Sequence, residues 1–139
     1  MAKKFNLIVL TPEREFYNGP AEELIVESLD GQIGVLADHT PMATALGVGM
    51  IRIKNDDRLF EAAHSEGFME VRKDATVVLA QACEWPYEID LGRAREAKER
   101  AERRMEEHKT AESIAKSRLA LTRALTRIKL KAYENSSND

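Results

Sequence analysis

The chain has 139 residues, 43% of them hydrophobic, with 21 Lys/Arg against 24 Asp/Glu for a formal charge of −3. That length suits one compact domain or a small domain with an appendage. Its one cysteine, Cys83, excludes an intrachain disulfide and fits a reducing compartment. No apolar run approaches the roughly 20 residues of a membrane span, and the opening MAKKFNLIVLTPERE has too short an apolar run for a signal-peptide core. The sequence therefore reads as a soluble intracellular protein.

Residues 1–88 read as strands. FNLIVLT, EELIVES, GMIRIKN, FMEVRK and ATVVLAQA are short, rich in β-branched residues and partly alternating. Turn signals separate them: Asn18-Gly19-Pro20, Asp30-Gly31, Asn55-Asp56-Asp57 and Lys73-Asp74. No long amphipathic stretch interrupts them, which argues for an antiparallel sandwich and against parallel βαβ units.

A change in composition falls near Pro86–Ile89. Residues 1–88 hold eight Lys/Arg and fifteen Asp/Glu, a balance of −7, whereas 89–139 hold thirteen and nine, a balance of +4. All four prolines and six of the seven glycines lie before the change. The expected fold class is therefore α+β, an antiparallel β-sandwich over 1–88 followed by an antiparallel two-helix hairpin over 89–139.

The first helix opens with IDLGRAREAKER, residues 89–100. Asp90 is a good N-cap, but Arg93 stands where a capping box would place Glu or Gln, a cation at the positive end of the helix dipole. Arg100 follows two turns later on the same face. Ala94, Ala97, Ala101 and Met105 recur at helical spacing. In HKTAES the chain can turn, with Thr110 as N-cap of a second helix. That helix carries a heptad-like seam, Ala111, Ile114, Arg118, Leu121, Leu125, Ile128 and Ala132. Leu119, Ala120 and Leu130 lie nearly opposite, with Arg123 and Arg127. A helix apolar on two sides needs two partners. Between Lys116 and Lys131 it holds six cations and no anion.

Catalytic and metal motifs are absent: no phosphate loop, HExxH, GxSxG or CxxC occurs. His39, His64 and His108 are scattered and read as structural or exposed, Cys83 as a small buried hydrophobe, and Trp85 and Tyr87 as packing anchors. Two readings of the helix start remain. One is a solvated helix in which Asp90 caps and the arginines pair with Glu96, Glu99 and Glu102. The other is an anion site, in which free N–H groups, the dipole and Arg93 favour phosphate, and Arg123 and Arg127 face Arg93 and Arg100 across the hairpin.

The chain resembles the epsilon subunit of F-type ATP synthase along nearly its whole length. GQIGVLADHTPMATAL is similar to the family's G-E-L-G-I-L-x-G-H-x-P-L stretch, SEGFMEVRKDATVVLAQ to its S-G-G-F-L-E-V-x-x-x-x-V-T-V-L-A, and IDLGRA to the I/L-D-x-x-R-A motif of members that bind ATP. Ala37-Asp38 stands for the usual Pro-Gly, and Glu66 for a glycine of S-G-G. The resemblance implies a sandwich docked on the gamma subunit and the membrane c-ring. It further implies a hairpin that lies folded, or extends beside gamma into the alpha–beta hexamer and inhibits ATP hydrolysis. The ATP-binding set it implies is Glu84, Ile89, Asp90, Arg93, Ala94, Arg100, Arg123 and Arg127. There ATP, with or without Mg, acts as a regulatory ligand that favours the folded hairpin and is not hydrolysed. Contacts to the acidic segment of the beta subunits would come from Arg118, Arg123, Arg127 and Lys129. The implied location is the cytoplasmic face of the plasma membrane, peripheral, as part of the synthase.

Three alternatives bear on that reading. A basic hairpin can bind nucleic acid, but the acidic first part repels it and no aromatic residues punctuate the basic stretch. A small metabolic enzyme would need turnover by the isolated chain. A purely structural stalk subunit with a silent ATP site is the third.

Overall fold

The structure, a computed structural model, describes residues 2–107 and 110–137, without the side chains of 135–137. The chain divides into two compact units, Met1–Glu84 and Trp85–Asp139. His108, expected to be structural or exposed, lies outside the described residues.

The first unit consists of β1 (Phe5–Leu10), β2 (Glu15–Ala21), β3 (Glu23–Ser28), β4 (Gly31–Leu36), β5 (Met42–Leu46), β6 (Gly49–Asn55), β7 (Arg58–His64), β8 (Gly67–Val71), β9 (Thr76–Ala80) and β10 (Cys83–Glu84). They hydrogen-bond in the order β10-β7-β6-β3-β5-β8-β9-β1-β2, with β4 on β3. Burial alternates along the strands with the period of two that a one-sided sheet requires. Leu24, Val26, Ile51 and Ile53 from one half, and Leu7, Val9, Met69 and Val78 from the other, are at most 1% exposed. The sheet thus closes on a single apolar core, as a sandwich. The two ends of the strand order also meet: the Arg14 guanidinium, just before β2, donates to the Cys83 carbonyl of β10 at 3.0 Å and lies over the Phe16 ring. Burial pushes the Cys83 thiol up to about 12, so it stays protonated as a small core side chain.

Two details depart from the sequence reading. Asn18-Gly19-Pro20 lies inside β2 instead of turning the chain. Among the described residues β2 pairs with β1 alone, so the missing N–H of Pro20 breaks no second ladder. Further, β1 pairs with β9 in parallel, whereas every other pair is antiparallel among the described residues. The remaining turn signals hold: Gly31 (φ +126°) turns β3 into β4, and Asp56 (φ +56°) turns β6 into β7. Asp38 adopts φ +63°, the left-handed backbone that a family glycine supplies without strain, and its carboxylate takes the Lys3 ammonium at 2.8 Å. Glu66 shows no such φ, so its position does not require glycine. Gly67 does: a methyl there would collide with the Leu79 carbonyl oxygen and lie 2.8 Å from Ala80 Cα. Both obstacles are backbone, so Gly67→Ala is expected to cost about 1–3 kcal/mol, a fall of roughly 4–8 °C in Tm per kcal/mol, readable by thermal unfolding.

β3 shares its far edge between two neighbours, β6 over Glu23–Ile25 and β5 at Ser28. At the fork the Glu27 N–H meets neither ladder and donates instead to His64 Nε2 at 3.2 Å, while His64 Nδ1 donates to the Ser65 carbonyl at 3.0 Å. Both ring nitrogens are thus satisfied in the neutral tautomer. Burial lowers the His64 pKa below its ordinary 6.5, although the Ser65 hydrogen bond, Glu27 and Gly47 oppose this. A lowered histidine pKa gives stability that is complete above the unfolded value and is lost as pH falls through 6.5 toward the folded value. His64→Phe, which leaves the Glu27 N–H without an acceptor, is expected to lose about 1–3 kcal/mol at pH 8. The gap to the parent should narrow at pH 5, where the parent also loses stability; urea unfolding at the two pH values reads both effects.

The second unit begins with a 3-10 turn at Pro86–Glu88, whose Glu88 carboxylate accepts from the Trp85 N–H at 2.9 Å. Then come α1 (Leu91–Glu107) and α2 (Ala111–Ser137), packed along each other. Thr110 caps α2 as expected, its hydroxyl accepting from the Ser113 N–H at 3.2 Å. Two contacts fix an antiparallel register: Arg104 shares a small cavity with Ser113, Lys116, Ser117 and Ala120, and Lys131 Nζ donates to the Pro86 carbonyl at 3.1 Å. That register sets Ala101 opposite Ser117 and Ala94 opposite Ala124, all four at most 5% exposed. The expected seam of α2 is therefore not its most buried line. Ala111, Arg118, Leu125 and Ala132 are exposed, and Ile114, Leu121 and Ile128 half-buried. Two helices approach most closely where side chains are smallest, and Ala124 and Ser117 take that place from the larger apolar residues.

Candidate functional site

Asp90 stands at the head of α1 as the sequence predicts. Its Oδ1 accepts from the Arg93 N–H at 3.0 Å, and its carbonyl accepts from the Ala94 N–H at 3.0 Å. The rule broken at Arg93 is repaired locally, because the guanidinium bends back toward Asp90, Nε to Oδ2 4.0 Å, with the arginine side chain 87% exposed. A loose pair this exposed contributes at most about 1 kcal/mol, so Arg93 is readily given up to a stronger anion. Within α1 the ion pair among the described residues is Lys98–Glu102 at 3.7 Å; Arg100 is exposed and joins no ion pair there.

The register brings part of the candidate set together. With Ala94 opposite Ala124, Arg93 lies level with the stretch between Arg123 and Arg127, both half-buried and each engaged with a neighbour. Arg100 lies about 10 Å farther along α1 than Arg93, at 1.5 Å rise per residue. Ala94 is 3% exposed, so its methyl serves packing, and Ile89, extended (φ −89°, ψ 124°) and 5% exposed, sets the entry into α1. Glu84 lies in the other compact unit, on β10 beside Ala63. The hairpin thus offers a capped helix start, two exposed arginines on α1 and two on α2, a donor set suited to a polyphosphate.

The other face of α2 differs. Arg118 and Lys129 are exposed, together with Leu119 (39%), Leu125 (44%) and Tyr133 (48%). Such a mixture of cations and large apolar side chains suits a protein surface better than a small ligand. Sequence reasoning missed Lys131, which is drawn from the run of cations into a tie with Pro86 and an ion pair with Glu134 at 3.2 Å. Nothing in a run of like charges marks which member turns inward. Among the described residues no three His, Cys, Asp or Glu side chains gather as a metal site, and no helix is long and apolar enough to cross a membrane.

A sandwich followed by a long helical arm defines the Delta/Epsilon class of ATP synthase subunits. Residues 4–86 match the family model described as ATP synthase, Delta/Epsilon chain, beta-sandwich domain, and residues 88–132 the one described as its long alpha-helix domain. The chain is 48% identical over 131 residues to the ATP synthase epsilon chain of Caldanaerobacter subterraneus subsp. tengcongensis, covering 94% of this chain and 95% of that one. It is 44% identical over 132 residues to that of Caldicellulosiruptor bescii, covering 95% and 96%. A chain in the Euglena gracilis mitochondrial ATP synthase structure (OSCP/F1/c-ring) superimposes with a TM-score of 0.79 at 17% identity, covering 88% of this chain and 78% of that one, a likeness of fold. The chain belongs to the ATP synthase epsilon chain family.

Proposed function

We propose that the chain is the central-stalk epsilon subunit of a proton-translocating F-type ATP synthase, peripheral on the cytoplasmic face of the plasma membrane. In this reading the sandwich holds the gamma subunit and the rotor c-ring, and the hairpin inhibits ATP hydrolysis by reaching the alpha and beta subunits. ATP, with Mg accompanying its phosphates, is the regulatory ligand that keeps the hairpin paired. The observation that supports it is the hairpin itself: Asp90 caps α1 beside exposed Arg93 and Arg100, level with or near Arg123 and Arg127. Four guanidinium groups match the phosphates, and the Asp90 carboxylate matches a ribose or adenine donor. The Asp90 carboxylate is occupied in capping α1, which supports a role in holding the nucleotide over one in activating water. Arg118 and Lys129, exposed on α2 and outside that set, supply charge to an acidic partner.

A silent nucleotide site in a purely structural subunit is the second reading, and the engagement of Arg123 and Arg127 with neighbours within the chain favours it. The stalk assignment is tested by co-purification. Residues 1–88 hold all ten strands and their ladders, so this fragment is expected to fold and to retain gamma as the full chain does. A folded fragment that fails to hold gamma overturns the docking role. The regulatory assignment is tested by whether ATP relieves inhibition in enzyme reconstituted with this chain.

A further inference from the structure

A lysine ammonium stays in water unless something holds it elsewhere. On α2, Lys116, Arg118 and Lys129 are exposed, but Lys131 is not. Its side chain is 21% exposed, and its ammonium is fixed between the Pro86 carbonyl at 3.1 Å and the Glu134 carboxylate at 3.2 Å. We propose that Lys131 is the latch of the hairpin: it closes the open end and fixes the entry into α1, and its release is the step by which α2 comes away.

The Pro86 carbonyl also accepts from the Ile89 N–H at 3.1 Å, within the 3-10 turn that the Glu88 N–H and the Trp85 carbonyl close at 3.0 Å. Lys131 thus holds the same oxygen that sets Ile89, and through Ile89 the place of Asp90 at the head of α1. The carboxylate strengthens the grip. The Glu134 oxygen facing Lys131 is buried and accepts no hydrogen bond among the described residues, so the lysine charge offsets its burial. Position in the hairpin decides where opening begins. At one end α1 and α2 are joined by the chain, so they part last there. The latch lies at the other end of α1, whose 17 residues span about 25 Å at 1.5 Å per residue. Between the two ends, Ala94, Ala101, Ser117 and Ala124 bring little apolar area to the seam. A charge-assisted hydrogen bond at the free end therefore adds hold where burial supplies little.

The test is amide-resolved hydrogen exchange of the isolated full chain. Lys131→Met keeps the apolar stem and removes the donor and the charge. It is expected to speed exchange of Ile89, and of the amides from Leu125 to Glu134, by about tenfold or more, with the amides of β6 and β9 unchanged. Lys116→Met, the same change of charge at an exposed site near the turn, should leave all of these as they are. Lys131→Met with Glu134→Gln removes the unpaired carboxylate, so the acceleration that persists, about threefold or more, belongs to the bond with Pro86. A second measurement rests on the regulatory reading proposed above. In enzyme reconstituted with this chain, Lys131→Met should raise the ATP concentration that half-relieves inhibition about threefold or more and leave the fully relieved rate the same. Parent-like exchange in Lys131→Met or in the double variant, an equal rise throughout the chain, or the same rise in Lys116→Met would each overturn the latch. Faster local exchange with an unchanged ATP requirement would keep the latch and strike the regulatory reading instead.

Discussion

ATP titrated into the isolated chain is expected to bind with a dissociation constant between about micromolar and millimolar, about −8 to −4 kcal/mol, and Asp90→Ala with Arg93→Ala should weaken it by about thirtyfold or more. Charge-assisted hydrogen bonds contribute about 1.5–3 kcal/mol each before ordering of ligand and side chains is subtracted. The double substitution removes one anion and one cation, so the net charge of the chain stays the same and long-range attraction for ATP is preserved. The loss is then local. One complication is that Asp90 also caps α1, and replacing a cap with alanine costs about 0.5–2 kcal/mol of helix stability. Asp90→Asn separates the two roles, because asparagine caps as well as aspartate without the charge. Calorimetry on Asp90→Asn, Arg93→Ala and the double variant decides the matter: equal ATP affinity in the double variant removes the site assignment.

Removing residues 111–139 is expected to raise ATP hydrolysis by the assembled enzyme severalfold and to leave assembly intact. The physical cause is the outer face of α2, where exposed Arg118 and Lys129 stand among Leu119, Leu125 and Tyr133. Arg118→Ala with Lys129→Ala should act in the same direction, more weakly, through lost charge complementarity. Arg123 and Arg127 are poor choices for this test, because they are engaged within the chain and are also in the proposed ATP set. On the proposed reading, ATP at about 100 times its dissociation constant is expected to stabilise the paired hairpin by roughly 2.7 kcal/mol, enough to reverse a modest preference for an inhibitory form. Equal hydrolysis with full-length and truncated chains would mean that the hairpin is no inhibitor. Equal hydrolysis with and without Asp90→Ala/Arg93→Ala, in a full-length chain that inhibits, would leave the ATP site silent.

What the sequence discloses follows the range of the forces involved. β1, β3, β6, β8 and β9 are short runs rich in β-branched or aromatic residues and are legible locally. β5 (MATAL) and β7 (RLFEAAH) are not, since alanine has little strand preference and their place is decided by the partners they meet. β2 was hidden because Gly-Pro signals a turn except on an edge strand. The parallel union of β1 with β9 joins Leu7 to Thr76 and has no local sign. The same holds for the site. Asp90 and Arg93 lie three residues apart, and their cap was legible. Which arginines of α2 stand level with them depends on register and rotation, set by Ala94 and Ala101, which the spacing of α1 discloses, against Ser117 and Ala124, which the larger apolar residues of α2 mask. Lys131 and Pro86, 45 residues apart, could be joined only by folding.

The small side chains between α1 and α2 have a thermal consequence. Heat-capacity change on separating two surfaces scales with the apolar area exposed, about 0.45 cal/mol/K per Å². Parting Ala94 and Ala101 from Ala124 and Ser117 uncovers methyl groups and a hydroxyl where a leucine seam would uncover whole isobutyl groups. Among the described side chains of α2 only Leu130, 1% exposed, adds a large fully buried apolar group, so the equilibrium across this seam curves less with temperature than a leucine seam would. Any ligand that favoured one arrangement of these helices would then act over a broad thermal range, where a greasier interface would turn the same element into a thermometer.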